Sequence, residues 1–238
     1  MSVQRSLPSL NADSSVVQSP TRTGPYLESY GIPLGASNWA FADEGSYFVA
    51  TNATVGTGIA GHAAPVVADT DTKPLFFLFN SSATKSIFMD YLFFEVTAAG
   101  TAGTIHYTVV YVDAAGATAR SSGGTAITPT NANPSSSIAT AAVCHFGAVV
   151  AAMTSSRSLG NQIVREVIPV VQDTNLIKFG GGNAGANYLT TAGTATCHTI
   201  QHFGPCVIGP GGNLNISQIR PSQSAAASYQ FSAGWVER

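Results

Sequence analysis

Apolar residues along the chain fall into short runs broken by Gly, Pro, Asn and Thr, the spacing of strands rather than of long helices. Pro74-Leu75-Phe76-Phe77-Leu78-Phe79-Asn80 is an apolar run bounded by turn residues, which predicts a strand buried on both faces. Residues 86–97 and 104–113 are aromatic and β-branched, and they flank the small loop Ala98-Ala99-Gly100-Thr101-Ala102-Gly103; the pattern predicts a β-hairpin. On its second strand Ile105, Tyr107, Val109 and Tyr111 share one face, and His106, Thr108, Val110 and Val112 share the other. Neither face is strongly polar, so both are expected to be covered, one by a second sheet and the other by a neighbouring subunit.

Residues 114–134 are small and polar and read as turns around one short edge strand. The Ala-rich stretch 138–152 places Val143, Phe146, Val149 and Val150 roughly on a helical stripe, but its β-branched content and Gly147 favour a strand. Residues 161–171 alternate, with Pro169 placing their end at an edge or bulge. Further strands are expected over 175–179, 195–203, 206–208, 213–220 and 228–236, the last an aromatic strand paired inside a sheet. Ten to twelve strands without an internal repeat predict an all-β fold, an antiparallel, jelly-roll-like sandwich forming one domain over residues 37–238. Residues 1–36, turn-rich with Pro8, Pro20, Pro25 and Pro33, read as an extended N-terminal arm, either disordered or, as the preferred reading, ordered along a partner surface.

Composition sharpens this picture. The 238 residues are 45% hydrophobic but only 9% charged, about a third of the roughly 25% charged residues usual in a soluble domain. A net charge of −2 and three lysines argue against binding a nucleic-acid backbone. No apolar run reaches the length of a membrane-spanning helix, and residues 1–20 lack the apolar segment of a secretory signal. Three cysteines, Cys144, Cys197 and Cys206, are too few for a disulfide scaffold and suggest synthesis in a reducing cytoplasm. The sequons at Asn52, Asn80 and Asn215 carry little weight without a signal peptide.

The densest group of reactive side chains is Cys197-His198-Thr199-Ile200-Gln201-His202-Phe203-Gly204-Pro205-Cys206, with Cys144-His145 as a similar dipeptide upstream. On a strand His198 and His202 face the same side, and Cys206 could return after Gly204-Pro205 to complete a soft metal site. No CxxC, HExxH or accompanying carboxylate supports it, and packing is the preferred reading of all three residues. Ser121-Ser122-Gly123-Gly124 and Ser135-Ser136-Ser137 read as loop tips, and no GxSxG elbow exists. Asp43-Glu44 and Asp69-Thr70-Asp71 sit in turn contexts, where carboxylates bond the local backbone. The glycine runs 180–185 and 209–213 lack the Lys-Ser/Thr of a phosphate loop and read as turns. Asp90, on an aromatic strand, is expected to pair with an Arg or Lys. No catalytic residue and no cofactor is assigned, and a non-enzymatic protein is expected.

Val207-Ile208-Gly209-Pro210-Gly211-Gly212-Asn213-Leu214, Arg220-Pro221-Ser222-Gln223-Ser224-Ala225-Ala226-Ala227-Ser228-Tyr229 and the ending Gly234-Trp235-Val236-Glu237-Arg238 come after Met89-Asp90-Tyr91-Leu92 and the loop 97–103. Together they resemble small virion structural proteins encoded by tailed bacteriophages, over residues 85–238. The resemblance implies a particle component at the capsid surface, made in the host bacterial cytoplasm. By analogy with other small β-rich proteins that coat phage heads, it implies a cement or decoration protein bridging subunits of the major capsid protein. Low Lys and Glu content suits a surface that is covered on assembly, as a homo-oligomer with a trimer expected before a dimer. The alternative reading is a tail fibre or receptor-binding module for host glycan, which would expose Trp39, Tyr188 or Trp235 beside Asp and Asn.

Overall fold

The computed structural model describes residues 9–10, 16–17, 21–23, 29–31, 37–54, 56–62, 66–101, 106–114, 120–165, 170–180, 185–188, 196 and 198–238. Of the segments up to residue 37, and of residues 106, 120–122, 163–165 and 185–188, the backbone alone is described. Most of the expected arm therefore lies outside the described residues. Within it β1 (Ser9–Leu10) pairs with β2 (Val16–Val17) and β3 (Thr21–Thr23) with β4 (Ser29–Gly31), and among the described residues neither pair joins a larger sheet.

A seven-residue helix, α1 (Ser37–Asp43), leads into the β elements. These are β5 (Tyr47–Thr51), β6 (Ile59–Ala60), β7 (Phe76–Asn80), β8 (Ile87–Ala98), β9 (His106–Asp113), β10 (Arg120–Ile127), β11 (Thr130–Asn131), β12 (Ala142–Val150), β13 (Arg157–Arg165), β14 (Thr174–Phe179), β15 (Gly185–Tyr188), β16 (His198–Phe203), β17 (Val207–Ile208), β18 (Asn213–Ile219) and β19 (Ser228–Glu237). One sheet has six strands in the order β10-β12-β7-β18-β9-β13. The other has nine, in the order β11-β5-β19-β8-β14-β16-β15, with β17 also on β8 and β6 also on β19. Among the described residues pairing is antiparallel except for β14 beside β16. The protein is an all-β sandwich, as the apolar spacing predicts. Among the described residues no helix is long and apolar enough to cross a membrane.

One core fills the space between the sheets. Phe76, Leu78, Val110, Phe146, Leu214 and Ile216 come from the smaller sheet, and Phe48, Leu92, Phe94, Ile177, Phe231 and Trp235 from the larger. Phe146 stacks on Phe231 across the gap, with ring centroids 4.8 Å apart and planes 15° from parallel. The stretch around Gly147 is strand, as its β-branched content favours. Gly147 itself has φ 67°, and a Cβ there would lie 1.7 Å from the Gly61 carbonyl oxygen, so a bend that only glycine tolerates is built into β12. The aromatic C-terminal strand β19 runs between β5 and β8 and buries Trp235 completely.

Three expectations are corrected. Residues 87–98 and 106–113 do not form a hairpin: β8 pairs with β14, β17 and β19, while β9 pairs with β13 and β18 in the opposite sheet. Seven residues, 99–105, join them. Extended chain of that length covers about twice the ~10 Å between packed sheets. Two strands that are each apolar on both faces are better placed in the middles of two sheets than side by side.

The second correction concerns the outer face of β7, β18 and β9, where the chain's own segment 66–74 supplies cover that was expected from a subunit. Asn215 Nδ2 donates to the Asp71 carbonyl at 2.8 Å, Ser217 Oγ to the Thr70 carbonyl at 3.3 Å, and the Val150 N–H to the Thr72 carbonyl at 3.0 Å. Tyr111 Oη donates to the Asp69 carboxylate. Under this strap Val66, Val109, Tyr111, Met153 and Ile219 form a small second core. Thirdly, Ser121-Ser122-Gly123-Gly124 is not a loop tip but part of β10, an edge strand of eight residues.

Candidate functional site

Alternation along β16 turns His198, Ile200 and His202 outward and Thr199, Gln201 and Phe203 into the sandwich. His198 and His202 thus share a face, as their spacing requires. His198 is exposed and its Nδ1 lies 2.8 Å from Thr174 Oγ1 on the neighbouring strand. Cys206 is on the other side of the sheet, 3% exposed within the main core, where burial pushes its thiol up to about 12. Cys144 is equally buried and its thiol is likewise raised by burial, with a smaller push from the Glu237 charge. Cys197 lies outside the described residues. Among the described residues no three His, Cys, Asp or Glu side chains gather in a way that could hold a metal ion.

Three of the described carboxylates are taken up by the fold. Asp113 accepts the Thr154 and Ser155 N–H groups at 3.0 and 3.1 Å, and Asp71 accepts that of Met153 at 3.2 Å. Glu237 accepts the Ala141 N–H at 3.0 Å and the Trp235 indole N–H at 3.1 Å. The sequon asparagines are also structural: Asn80, fully buried, donates to the carbonyls of Lys85, Ile208 and Gly209. The turn at 209–212 is closed by the Gly212 N–H on the Gly209 carbonyl.

What remains is a surface, the outer face of the nine-stranded sheet. Successive outward positions carry Phe88, Asp90, Tyr91 and Phe93 on β8, Leu176 and Lys178 on β14, and Ile200 on β16. Asp90 is its electrostatic centre. It accepts hydrogen bonds from Asn38 Nδ2 and Tyr47 Oη, both at 2.7 Å, and Lys178 Nζ lies 3.9 Å away and 5.4 Å above the Tyr91 ring. The expected cationic partner of Asp90 is therefore Lys178. Burial, then the hydrogen bond and charge of Asp90, raise the Tyr47 phenol well above its ordinary value, so it stays a donor. Gly234 lets the rings close over the sheet, since a Cβ there would meet Tyr47 Oη at 2.4 Å and a Tyr91 ring carbon at 2.5 Å. At one side Trp39, next to Asn38 on α1, is 76% exposed. Trp235, the other tryptophan considered for glycan contact, is fully buried, and the Tyr188 side chain lies outside the described residues.

A second feature escaped the sequence reading. The core is apolar over most of its length but polar at one end, where Thr108, Asn175 and Gln201 meet between the sheets. Asn175 Nδ2 donates to Gln201 Oε1 at 2.9 Å and lies 3.2 Å from Thr108 Oγ1, while Gln162 Nε2 reaches the His202 carbonyl at 2.8 Å. Gln218 on β18 and Arg220, just past its end, face the same interior, continuing the alternation of Leu214 and Ile216. No protein-family model matches the chain, and no curated protein matches it.

Proposed function

We propose that the protein is a structural component of a bacteriophage virion, a cement or decoration protein that stabilises the head by bridging neighbouring subunits of the shell. The observation that carries this reading is the outer face of the nine-stranded sheet. It sets Phe88, Tyr91, Phe93, Leu176 and Ile200 at a surface whose charges are Asp90, Glu95 and Lys178, on a chain with 9% charged residues. Contiguous apolar surface of this kind marks an interaction site, and interface cores are depleted in Lys and Glu. Binding would come from burial of that face against the shell, multiplied over many copies. Self-association, as a trimer before a dimer, belongs to the same reading and is checked by light scattering of the purified chain. The deciding experiment is copy number and heat resistance of purified particles. Hundreds of copies, and particles that burst at lower temperature once stripped of this protein, support cement; unchanged resistance removes that role.

The second reading, a tail module that binds host glycan, is favoured by Trp39 standing exposed beside the Asn38–Asp90 hydrogen bond. It requires a few to tens of copies per particle and saccharide binding that Trp39→Ala abolishes.

A further inference from the structure

Arg220 is 3% exposed, and none of its three guanidinium nitrogens has a hydrogen-bond acceptor among the described residues. An arginine cannot escape burial by losing its proton at any ordinary pH, so its charge must be met by something. The Tyr229 ring, 5.4 Å from Cζ, offers one face, and burial pushes the guanidinium down from its usual value while Tyr229 and Asp173 oppose that shift. Asp173 acts through space only; its Oδ2 accepts the Val170 N–H at 2.7 Å. Gln218, 7% exposed, likewise has neither its Nε2 nor its Oε1 bonded among the described residues.

Both side chains line one cavity of about 20 Å³, walled also by His62, Leu75, Gln223 and Tyr229. Its other polar walls are occupied: His62 Nε2 is 3.1 Å from the Pro74 carbonyl, and Gln223 Nε2 donates to the Ala99 carbonyl at 3.2 Å. The position of the cation is fixed by backbone. The Arg220 N–H donates to the Val66 carbonyl at 2.8 Å and the Arg220 carbonyl accepts from the Gln223 N–H at 3.2 Å. The result is a cation with up to five donors and an amide with two, aimed from a rigid frame into a space slightly larger than the 10–15 Å³ that one water needs.

We propose that this cavity is a binding site for one small monovalent anion of the chloride class, held by Arg220 and by the amide N–H of Gln218. The size excludes a nucleotide or sugar, and the donor set excludes a metal ion. The site is a half-open pocket where the strap joins the sandwich, and its occupant stabilises the fold independently of the virion reading.

The test is thermal unfolding of the full chain in sodium chloride against sodium gluconate at constant ionic strength. With the site present, the midpoint rises with chloride by roughly 3–6 °C for each tenfold increase above the dissociation constant. Arg220→Met should lose that dependence. Equal midpoints in the two salts, or an Arg220→Met variant that keeps the chloride effect, overturn the proposal, the first leaving water as the occupant. Should Arg220→Met fail to fold, Gln218→Leu takes its place and is expected to weaken the chloride dependence; an unchanged dependence counts against the site. Crystals grown in bromide give a direct readout: an anomalous peak beside the guanidinium supports the site, and a cavity without one refutes it.

Discussion

Ser222 sits at a φ of 65° in the turn that closes with the Gln223 N–H on the Arg220 carbonyl, with Pro221 before it. That is the position of a type II turn that normally asks for glycine. Ser222→Gly should therefore raise stability by about 0.5–1 kcal/mol, the left-handed cost of serine less the extra freedom of glycine when unfolded, measured by urea unfolding. Cys206 gives a pH prediction. Its thiol is raised from 9.0 to about 12 because the core accommodates only the neutral form. Its contribution is complete below about pH 9 and is lost as pH rises towards 12, so Cys206→Ala should show a shallower loss of stability across that window. Parallel curves would contradict this. Among single residues, the Asp90 partner was foreseeable, because a charge on an aromatic strand needs one. Gln218 and Arg220 were not. In Asn213-Leu214-Asn215-Ile216-Ser217-Gln218-Ile219-Arg220 the inner face changes from apolar to polar within one strand, and alternation alone assigns polar residues to the outside.

At the scale of elements, β12 depends on one glycine. Gly147→Ala would push a methyl into the Gly61 carbonyl at an unfavourable φ, and a loss on the order of 2–4 kcal/mol is expected from denaturant titration. Strand existence was well marked in the sequence: the runs at 76–80, 142–150, 174–179, 213–219 and 228–237 are apolar or β-branched and bounded by turn residues. Partnership was less legible. The loop at 98–103 looks like a hairpin turn, yet turn composition is equally suitable for a crossing between sheets, and only the two-sided burial of β8 and β9 distinguishes them. The strap was hidden for a related reason: residues 66–74 lack periodicity, and their carbonyls do the bonding, which side-chain pattern does not record.

For the whole molecule, the two outer faces differ. Segment 66–74 covers part of the six-stranded sheet, while the nine-stranded sheet presents its aromatic face with Ile200 40% exposed. Ile200→Glu should leave folding stability within about 0.5 kcal/mol of the parent, as is usual for surface substitutions, yet reduce self-association or incorporation into particles. Retained association would move the interface elsewhere. Removal of residues 228–238 is expected to abolish cooperative unfolding altogether, because β19 supplies Trp235, Phe231 and the ladder that joins β5 to β8. The position of that strand also sets an order of events. During synthesis β5 and β8 emerge long before β19 and must wait with unsatisfied edges, since Val236 pairs with Tyr47 across almost the whole described chain. A nascent chain therefore cannot display the finished aromatic face until its last described strand has left the ribosome.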